Sequence, residues 1–112
     1  MAAAKRKRAM ATGFKARQDM LQHAGEAAAL LRALANEQRL VILCCLAGQR
    51  LSVGELNEQI ELSQSALSQH LAVLRESNLV TTEKQAQTVY YSVPPGPVHE
   101  LLAVLQSIYC PT

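Results

Sequence analysis

Three cysteines carry the strongest nucleophiles in the sequence: Cys44 and Cys45 are adjacent, and Cys110 lies far from them along the chain. Thiolates exchange with reactive sulfur species and disulfides, and they also bind soft ions such as arsenite and copper(I). A soft-ion site at Cys44 and Cys45 is the weaker prediction, because neighbouring residues on a helix point about 100° apart. A buried structural role also stays open for Cys44, because cysteine behaves as a small hydrophobic residue and this one lies on an apolar helix face.

Polar side chains recur between residues 64 and 70, where the text reads QSALSQH. On a helix they lie opposite or beside a leucine stripe, and they are Gln64, Ser65, Ser68 and Gln69, with His70 at the edge of the stripe. Amide and hydroxyl groups bond base edges and phosphates, and the positive N-terminus of a helix attracts phosphate. The pattern predicts a helix that enters a DNA groove, with a structural or phosphate-contacting role for His70.

Two β-rich stretches, 80–84 and 88–93, follow this helix and are joined at Gln85-Ala86-Gln87. They predict a hairpin with Lys84 and Gln87 at its polar end. Beside a groove-reading helix, such a hairpin forms a wing that touches the phosphate backbone or the minor groove.

No pattern typical of an enzyme occurs in the sequence. Ser68 and His70 are two positions apart on one helix, so they do not face each other. There is also no Gly-rich phosphate loop and no carboxylate cluster. We therefore expect neither catalytic residues nor a cofactor.

Helical periodicity and capping signals place these residues in a mainly α fold with a small β-hairpin. The predicted helices are 18–35, 37–47, a short helix from the Ser52–Glu55 capping box to about residue 60, a fourth from the Ser63 cap to about residue 77, and 97–109. Glu61-Leu62 forms the turn between the third and fourth helices, and Asn78 stops the fourth. A helix, a turn, a second helix and a wing together predict a winged helix-turn-helix.

The last helix carries more apolar surface than one face needs. The residues concerned are Leu101, Leu102, Val104, Leu105 and Ile108. This excess favours a subunit interface, so we expect a homodimer.

Charge is unevenly distributed along the 112 residues. Six of the eleven basic residues lie within residues 1–17, where no acidic residue occurs, so the rest of the chain holds five basic and nine acidic residues. We predict a flexible basic arm over residues 1–17 that contacts a polyanion, followed by one domain over 18–110. The basic start lacks a following apolar stretch, and no apolar run reaches the roughly 18 residues that span a bilayer, so we expect a cytoplasmic protein without a membrane partner.

Residues 20–110 resemble the ArsR/SmtB family of winged-helix repressors. The resemblance lies in the text LSVGEL…LSQSALSQHLAVLRESNLV…EKQAQTVYYSV. It implies a homodimer that occupies operator DNA through residues 64–70 and leaves it when an effector binds, with the first and last helices forming the dimer.

The metal sites of that family are not expected in this chain. Its third-helix site needs a Cys-x-Cys pair, but residues 52–56 contain no thiol. Its last-helix zinc site needs an Asp-x-His and a distant His-x-x-Glu or His, whereas only His99 and Glu100 are present. Too few ligands therefore remain for either site.

The texts RLVILCCLAGQRLSVGEL and LQSIYCP are similar to the redox- and persulfide-sensing branch of the family, which includes BigR, SqrR, YgaV and HlyU. That resemblance implies that Cys44 and Cys110 are the sensing pair, while Cys45 has no counterpart. A reactive sulfur or oxygen species would then close a disulfide or polysulfide bridge between them.

We interpret the chain as a homodimeric DNA-binding repressor that oxidation or persulfidation of Cys44 and Cys110 releases from its operator. One alternative is a repressor that responds to arsenite or copper(I). An alternative of another class is a winged-helix module that binds proteins and never touches DNA.

Overall fold

The computed structural model describes residues 13–110, and the chain divides after Arg32 into two units that are described separately. Most of helix α1 (Gly13–Leu34) lies in the first unit. The second unit contains the other elements: α2 (Glu37–Ala47), β1 (Leu51–Ser52), α3 (Val53–Gln59), α4 (Gln64–Glu76), β2 (Thr81–Gln85), β3 (Thr88–Ser92) and α5 (Pro97–Tyr109). This order confirms the mainly helical fold with a β-hairpin.

Helix α1 begins at Gly13, earlier than the predicted start at residue 18. Lys15 and Arg17, which belong to the predicted arm, therefore lie on this helix. In the first turn, the Arg17 guanidinium lies 5.9 Å from the ring centre of Phe14, three residues earlier, a spacing at which side chains on a helix can contact each other. The rest of the predicted arm, residues 1–12, lies outside the described residues.

Helix α2 is central to the second unit and packs against α4, α5 and β3. Its buried residues are Ile42, Leu43 and Leu46. The sequence placed Cys44 on an apolar helix face and left a buried role open for it, but Cys44 is exposed. Because every residue of α2 from Leu40 to Ala47 is apolar, periodicity alone could not select the face that the neighbouring helices cover.

Side-chain caps hold the helix-turn-helix in place. Ser52 and Glu55 form the predicted capping box: the Ser52 Oγ accepts from the Glu55 N–H at 3.2 Å, and Glu55 Oε1 accepts from the Ser52 N–H at 3.0 Å. Ser63 Oγ accepts from the Ala66 N–H at 3.1 Å and so begins α4. In each case an amide that the helix leaves unpaired finds a partner.

A Schellman motif ends α4 at the predicted stop. Asn78 adopts the left-handed region with φ 60°, which asparagine tolerates better than most residues. The Leu79 N–H donates to the Leu74 carbonyl at 2.9 Å, and the Asn78 N–H donates to the Arg75 carbonyl at 3.1 Å. Leu74 and Leu79 are both buried, so the motif fixes the direction in which the chain enters the wing.

The wing is a three-stranded antiparallel sheet in the order β1-β3-β2. The predicted hairpin is confirmed, with Thr81 opposite Ser92 and Gln85 opposite Thr88. The short strand β1 was not predicted, because two residues carry no usable periodicity and β1 pairs with Tyr90 and Tyr91, distant in sequence. Among residues 13–110, no helix is long and apolar enough to cross a membrane.

Candidate DNA interface and thiol groove

Helix α4 buries one face in the protein core and exposes the opposite face to solvent. Leu67, Leu71 and Leu74 are buried against the neighbouring helices. On the other side, the helix exposes Ser65, Ser68 and Gln69, with Gln64 exposed in the first turn. His70 is partly buried at the margin of the leucine stripe, where it is less available to a groove than the other four.

The start of α4 is suited to an anion. Its first turn contains no acidic side chain, so the positive end of the helix is not neutralised locally. Asn57 Nδ2 donates to the Leu62 carbonyl at 2.7 Å and holds the turn that leads into α4. The approach angle of the helix is thereby set by side chains outside the helix itself.

Lys84 and Gln87 are both exposed on the wing, Lys84 within β2 and Gln87 in the turn between the strands. The wing thus brings these two residues together at its polar end, as the sequence predicted. The sheet fixes the position of Lys84 and Gln87 relative to α4, because β3 packs against α2 and α3.

Arg50 is a residue at this surface that the sequence did not indicate. Its guanidinium lies 4.6 Å from the ring centre of Tyr90, donates to Gln85 Oε1 at 3.0 Å and lies 3.3 Å from Glu83 Oε2. These partners are more than thirty positions away, and no local pattern could have revealed them. An exposed ion pair of this kind is worth only about 0–1 kcal/mol, so Arg50 mainly orients the wing.

Positive charge is scarce on α4, the helix predicted to enter the DNA groove, and on the wing. Arg75 and Lys84 are the basic residues of α4 and the wing, and the sequence from Ala33 onward contains four basic and seven acidic residues. This unit alone therefore has little electrostatic attraction for the phosphate backbone.

A groove between α2 and α5 contains both thiols that the sequence singled out. It has a volume of ≈ 180 Å³ and is lined by Leu40, Cys44, Leu105, Gln106, Tyr109 and Cys110. Cys44 and Cys110 are both free and exposed. The structure therefore places two reactive side chains, far apart in sequence, at one apolar site.

Cys45 differs from its neighbour. It is partly buried and does not line the groove. Burial raises the pKa of the Cys45 thiol above its ordinary value of 9.0, and the neighbouring Cys44 raises that pKa further. Because the thiolate is the reactive form, the raised pKa lowers the reactive fraction of Cys45 at neutral pH.

Metal ligands do not converge in the part of the chain that the structure describes. Within residues 13–110, no group of three or more His, Cys, Asp or Glu side chains could hold a metal ion. His99, which was compared with the zinc ligands of the family, instead forms a hydrogen bond from Nε2 to the Val93 carbonyl at 3.1 Å.

Residues 36–82 match the model of the bacterial regulatory protein family arsR. The transcriptional activator HlyU of Vibrio cholerae is 52% identical over 93 residues, which cover 83% of this chain and 86% of that protein. The chain belongs to the ArsR family. The predicted resemblance to the thiol-sensing branch of this family is therefore confirmed, because HlyU is one of its members.

Solved structures of ArsR regulators agree with the fold. The structure of reduced HlyU from Vibrio cholerae has a TM-score of 0.77 at 52% identity and covers 83% of this chain and 98% of that one. The crystal structure of the transcriptional repressor BigR from Xylella fastidiosa has a TM-score of 0.74 at 39% identity, covering 84% and 93%. The winged-helix architecture is thus confirmed.

Membership in the ArsR family decides the class of function. The family consists of transcription regulators that bind operator DNA, typically as homodimers, and they are not enzymes. This chain is accordingly a DNA-binding transcription regulator.

Proposed function

We propose that this chain acts as a homodimeric repressor whose binding to operator DNA is released when Cys44 and Cys110 are oxidised or persulfidated. The observation that carries the proposal is the shared groove, where both thiols are exposed and face the same apolar space. A soft-ion response is less well supported, because no third ligand joins any pair of thiols among residues 13–110.

The proposed chemistry uses a hydropersulfide, RSSH, as the oxidant. One cysteine thiolate attacks its outer sulfur, the S–S bond breaks and RSH leaves, so that the cysteine becomes a persulfide. The second thiolate attacks the Sγ of this persulfide, which closes the Cys44–Cys110 disulfide and releases hydrogen sulfide. Two thiols and one RSSH thus give a disulfide, RSH and hydrogen sulfide, and further RSSH lengthens the bridge by inserting sulfur atoms.

Closing the bridge would change the position of the reading helix through α2. Cys44 lies on α2, which packs directly against α4, while Cys110 ends α5. A covalent link between α2 and α5 favours one relative position of the two helices. In a dimer, a small shift of each α4 breaks the match to half-sites about 34 Å apart.

Exposed apolar side chains on α5 support a dimer. Val104 is 56% exposed, Ile108 59% and Tyr109 77%, although all three are large and hydrophobic. Leaving such residues in water is unfavourable by roughly 25 cal/mol per Å², and a second copy would remove them from it. Helix α1 has a similar exposed set, which consists of Phe14, Met20, Leu21 and Leu31.

For the DNA contacts we propose the residues that α4 and the wing expose. Ser65, Ser68 and Gln69 would meet base edges, and Gln64 would contact a phosphate at the helix start. His70 stands at the margin of this surface, while Lys84 and Gln87 would contact the backbone from the wing.

Repression is the proposed outcome of operator occupancy. The relative BigR is described as a repressor and the relative HlyU as an activator, so the family members do not share one outcome. In both cases the common step is occupancy of DNA, and occupancy is what the thiols would control here.

We expect glutathione persulfide to weaken operator binding by the wild-type protein at least about tenfold, a coupling typical of allosteric regulators. The duplex is first selected from a random-sequence library by the reduced protein, and binding is followed by fluorescence anisotropy. Intact mass identifies the product, because a disulfide removes about 2 Da and each inserted sulfur adds about 32 Da.

Three single substitutions sharpen this experiment. Cys44→Ser and Cys110→Ser should bind DNA like the reduced protein before and after treatment, because neither can close the bridge. Cys45→Ser is the matched control and should be released like the wild-type protein. Equal release from Cys110→Ser would contradict the proposal.

A further inference from the structure

Val93 connects the wing to both helices that carry the sensing thiols. It follows β3 directly and is 5% exposed. Its N–H donates to the Leu46 carbonyl of α2 at 3.3 Å, and its carbonyl accepts from His99 Nε2 on α5 at 3.1 Å. A carbonyl can only accept, so the Nε2 of His99 carries the proton in this arrangement.

The bond from Val93 to α2 is anchored at the end of that helix. Leu46 lies in the last turn of α2, where carbonyls have no partner within the helix. The Val93 N–H satisfies one of these carbonyls. Consequently, displacement of the C-terminal end of α2 acts directly on the end of β3.

The segment between Val93 and α5 is stiff. Pro94 and Pro95 each restrict φ, and Pro97 begins the helix. Gly96, with φ 132°, supplies the turn that proline cannot make. A short and restricted connection passes movement of α5 to β3 more directly than a flexible one does.

Helix α5 therefore has one thiol at its end and one hydrogen bond at its beginning. Cys110 caps the end of the helix and His99 lies in its first turn, so the helix spans roughly 16 Å between them at 1.5 Å per residue. A bridge at Cys110 would reposition the helix, and the His99 side chain is the contact at the other end that faces the wing.

We infer that His99 is a positioning residue that couples the thiol groove to the wing through Val93. The inference rests on the proposed redox function and adds the wing as a second element that moves with the bridge, beside α4. His99 touches neither DNA nor the oxidant, and it acts by holding β3 to α5.

The test compares two substitutions that separate the hydrogen bond from the ring. His99→Phe keeps a ring of similar size without the donor, whereas His99→Gln keeps a nitrogen donor near the position of Nε2. Glu100→Gln, an exposed neighbour on the same turn, is the control. For each protein, the dissociation constant for the selected duplex is measured in the reduced and in the bridged form.

We expect the ratio of bridged to reduced dissociation constants to fall about threefold in His99→Phe relative to wild type, and the displacement of α4 should keep this ratio above one. His99→Gln and Glu100→Gln should keep the wild-type ratio, and intact mass should show that all of them still form the bridge. A purely structural role of the ring would weaken both forms equally and leave the ratio unchanged, which would overturn the inference.

Amide hydrogen exchange on the wild-type protein provides a second measurement that needs no variant. Closing the bridge should change exchange at the Val93 N–H and along residues 81–92. Unchanged exchange there, in a protein that does leave DNA, would overturn the role of the wing while keeping the proposed function. If the bridged wild-type protein binds as tightly as the reduced one, the proposed function itself fails and the inference fails with it.

Discussion

At the scale of single residues, adjacent thiols on α2 have different environments. Cys44 is exposed and lines the groove with Cys110, whereas Cys45 is partly buried and outside it. A helix turns about 100° per residue, which is enough to place one thiol at an open site and the next against the interior. This difference is why we propose Cys44 rather than Cys45 as the partner of Cys110.

Alkylation rates should reflect the same difference. With iodoacetamide at pH 7.5, we expect Cys44 and Cys110 to be modified before Cys45 in the folded protein, because the raised pKa of Cys45 lowers its thiolate fraction. Increasing the pH should increase the rate at Cys45 until it passes its raised pKa. Peptide mass spectrometry over time measures this order, and unfolding in urea is the control that should equalise the three rates.

At the scale of elements, side-chain caps and turns position the reading helix and the wing. Ser52, Glu55 and Ser63 begin α3 and α4, and the Schellman motif at Asn78 ends α4. The turn of the wing is less favourable than these caps, because Ala86 adopts φ 55°. This left-handed region is unfavourable for residues that have a Cβ atom. The wing is therefore held by the pairing of its three strands and by the contact of Val93 with α2 more than by its own turn.

Ala86→Gly should stabilise the protein by about 0.5–1 kcal/mol, because glycine adopts a positive φ at little steric cost. Part of the gain is offset by the larger conformational entropy of glycine in the unfolded chain. Urea unfolding followed by circular dichroism measures the change. Gln87→Gly is the comparison, since Gln87 lies in the same turn without a positive φ, and it should not stabilise.

At the scale of the whole molecule, the charges are separated along the sequence. Residues 1–12 contain four basic residues and no acidic one, whereas the unit from Ala33 onward is net acidic. A dimer of such units would approach DNA with little help from charge. We therefore expect the basic residues of the N-terminal segment to supply phosphate contacts that α4 and the wing lack.

Replacing Lys5, Arg6, Lys7 and Arg8 together by Gln should weaken operator binding and reduce its salt dependence. The slope of log K against log salt concentration should decrease by about 0.9 for each phosphate that the variant no longer neutralises. Anisotropy titrations at several salt concentrations measure this slope. Release by persulfide should persist in the variant, and an unchanged slope would show that the segment does not contact DNA.

Much of the DNA-reading region could be predicted from the sequence. Caps at Ser52 and Ser63, the leucine spacing of α4 and the stop at Asn78 are all local signals, and the helix boundaries followed from them within a few residues. The wing was also predicted, although Val80 and Val93 flank its strands rather than belong to them. Local backbone preferences and capping bonds act over a few residues, which is why a sequence reveals them.

Only the tertiary structure decided how the thiols and the wing are connected. Residues 44 and 110 line one groove because α2 and α5 pack together, and Arg50 reaches Tyr90 because β1 pairs with β3. The sequence also left open which side of α2 is exposed, since all of its residues from Leu40 to Ala47 are apolar. These features depend on which surfaces pack together between residues that are far apart in the sequence. The hydrophobic effect scales with the apolar area buried and has no preferred direction, so a local pattern does not specify which surface will cover it. The sequence by itself thus determined a helix-turn-helix with a wing, and packing determined that its thiols share a site.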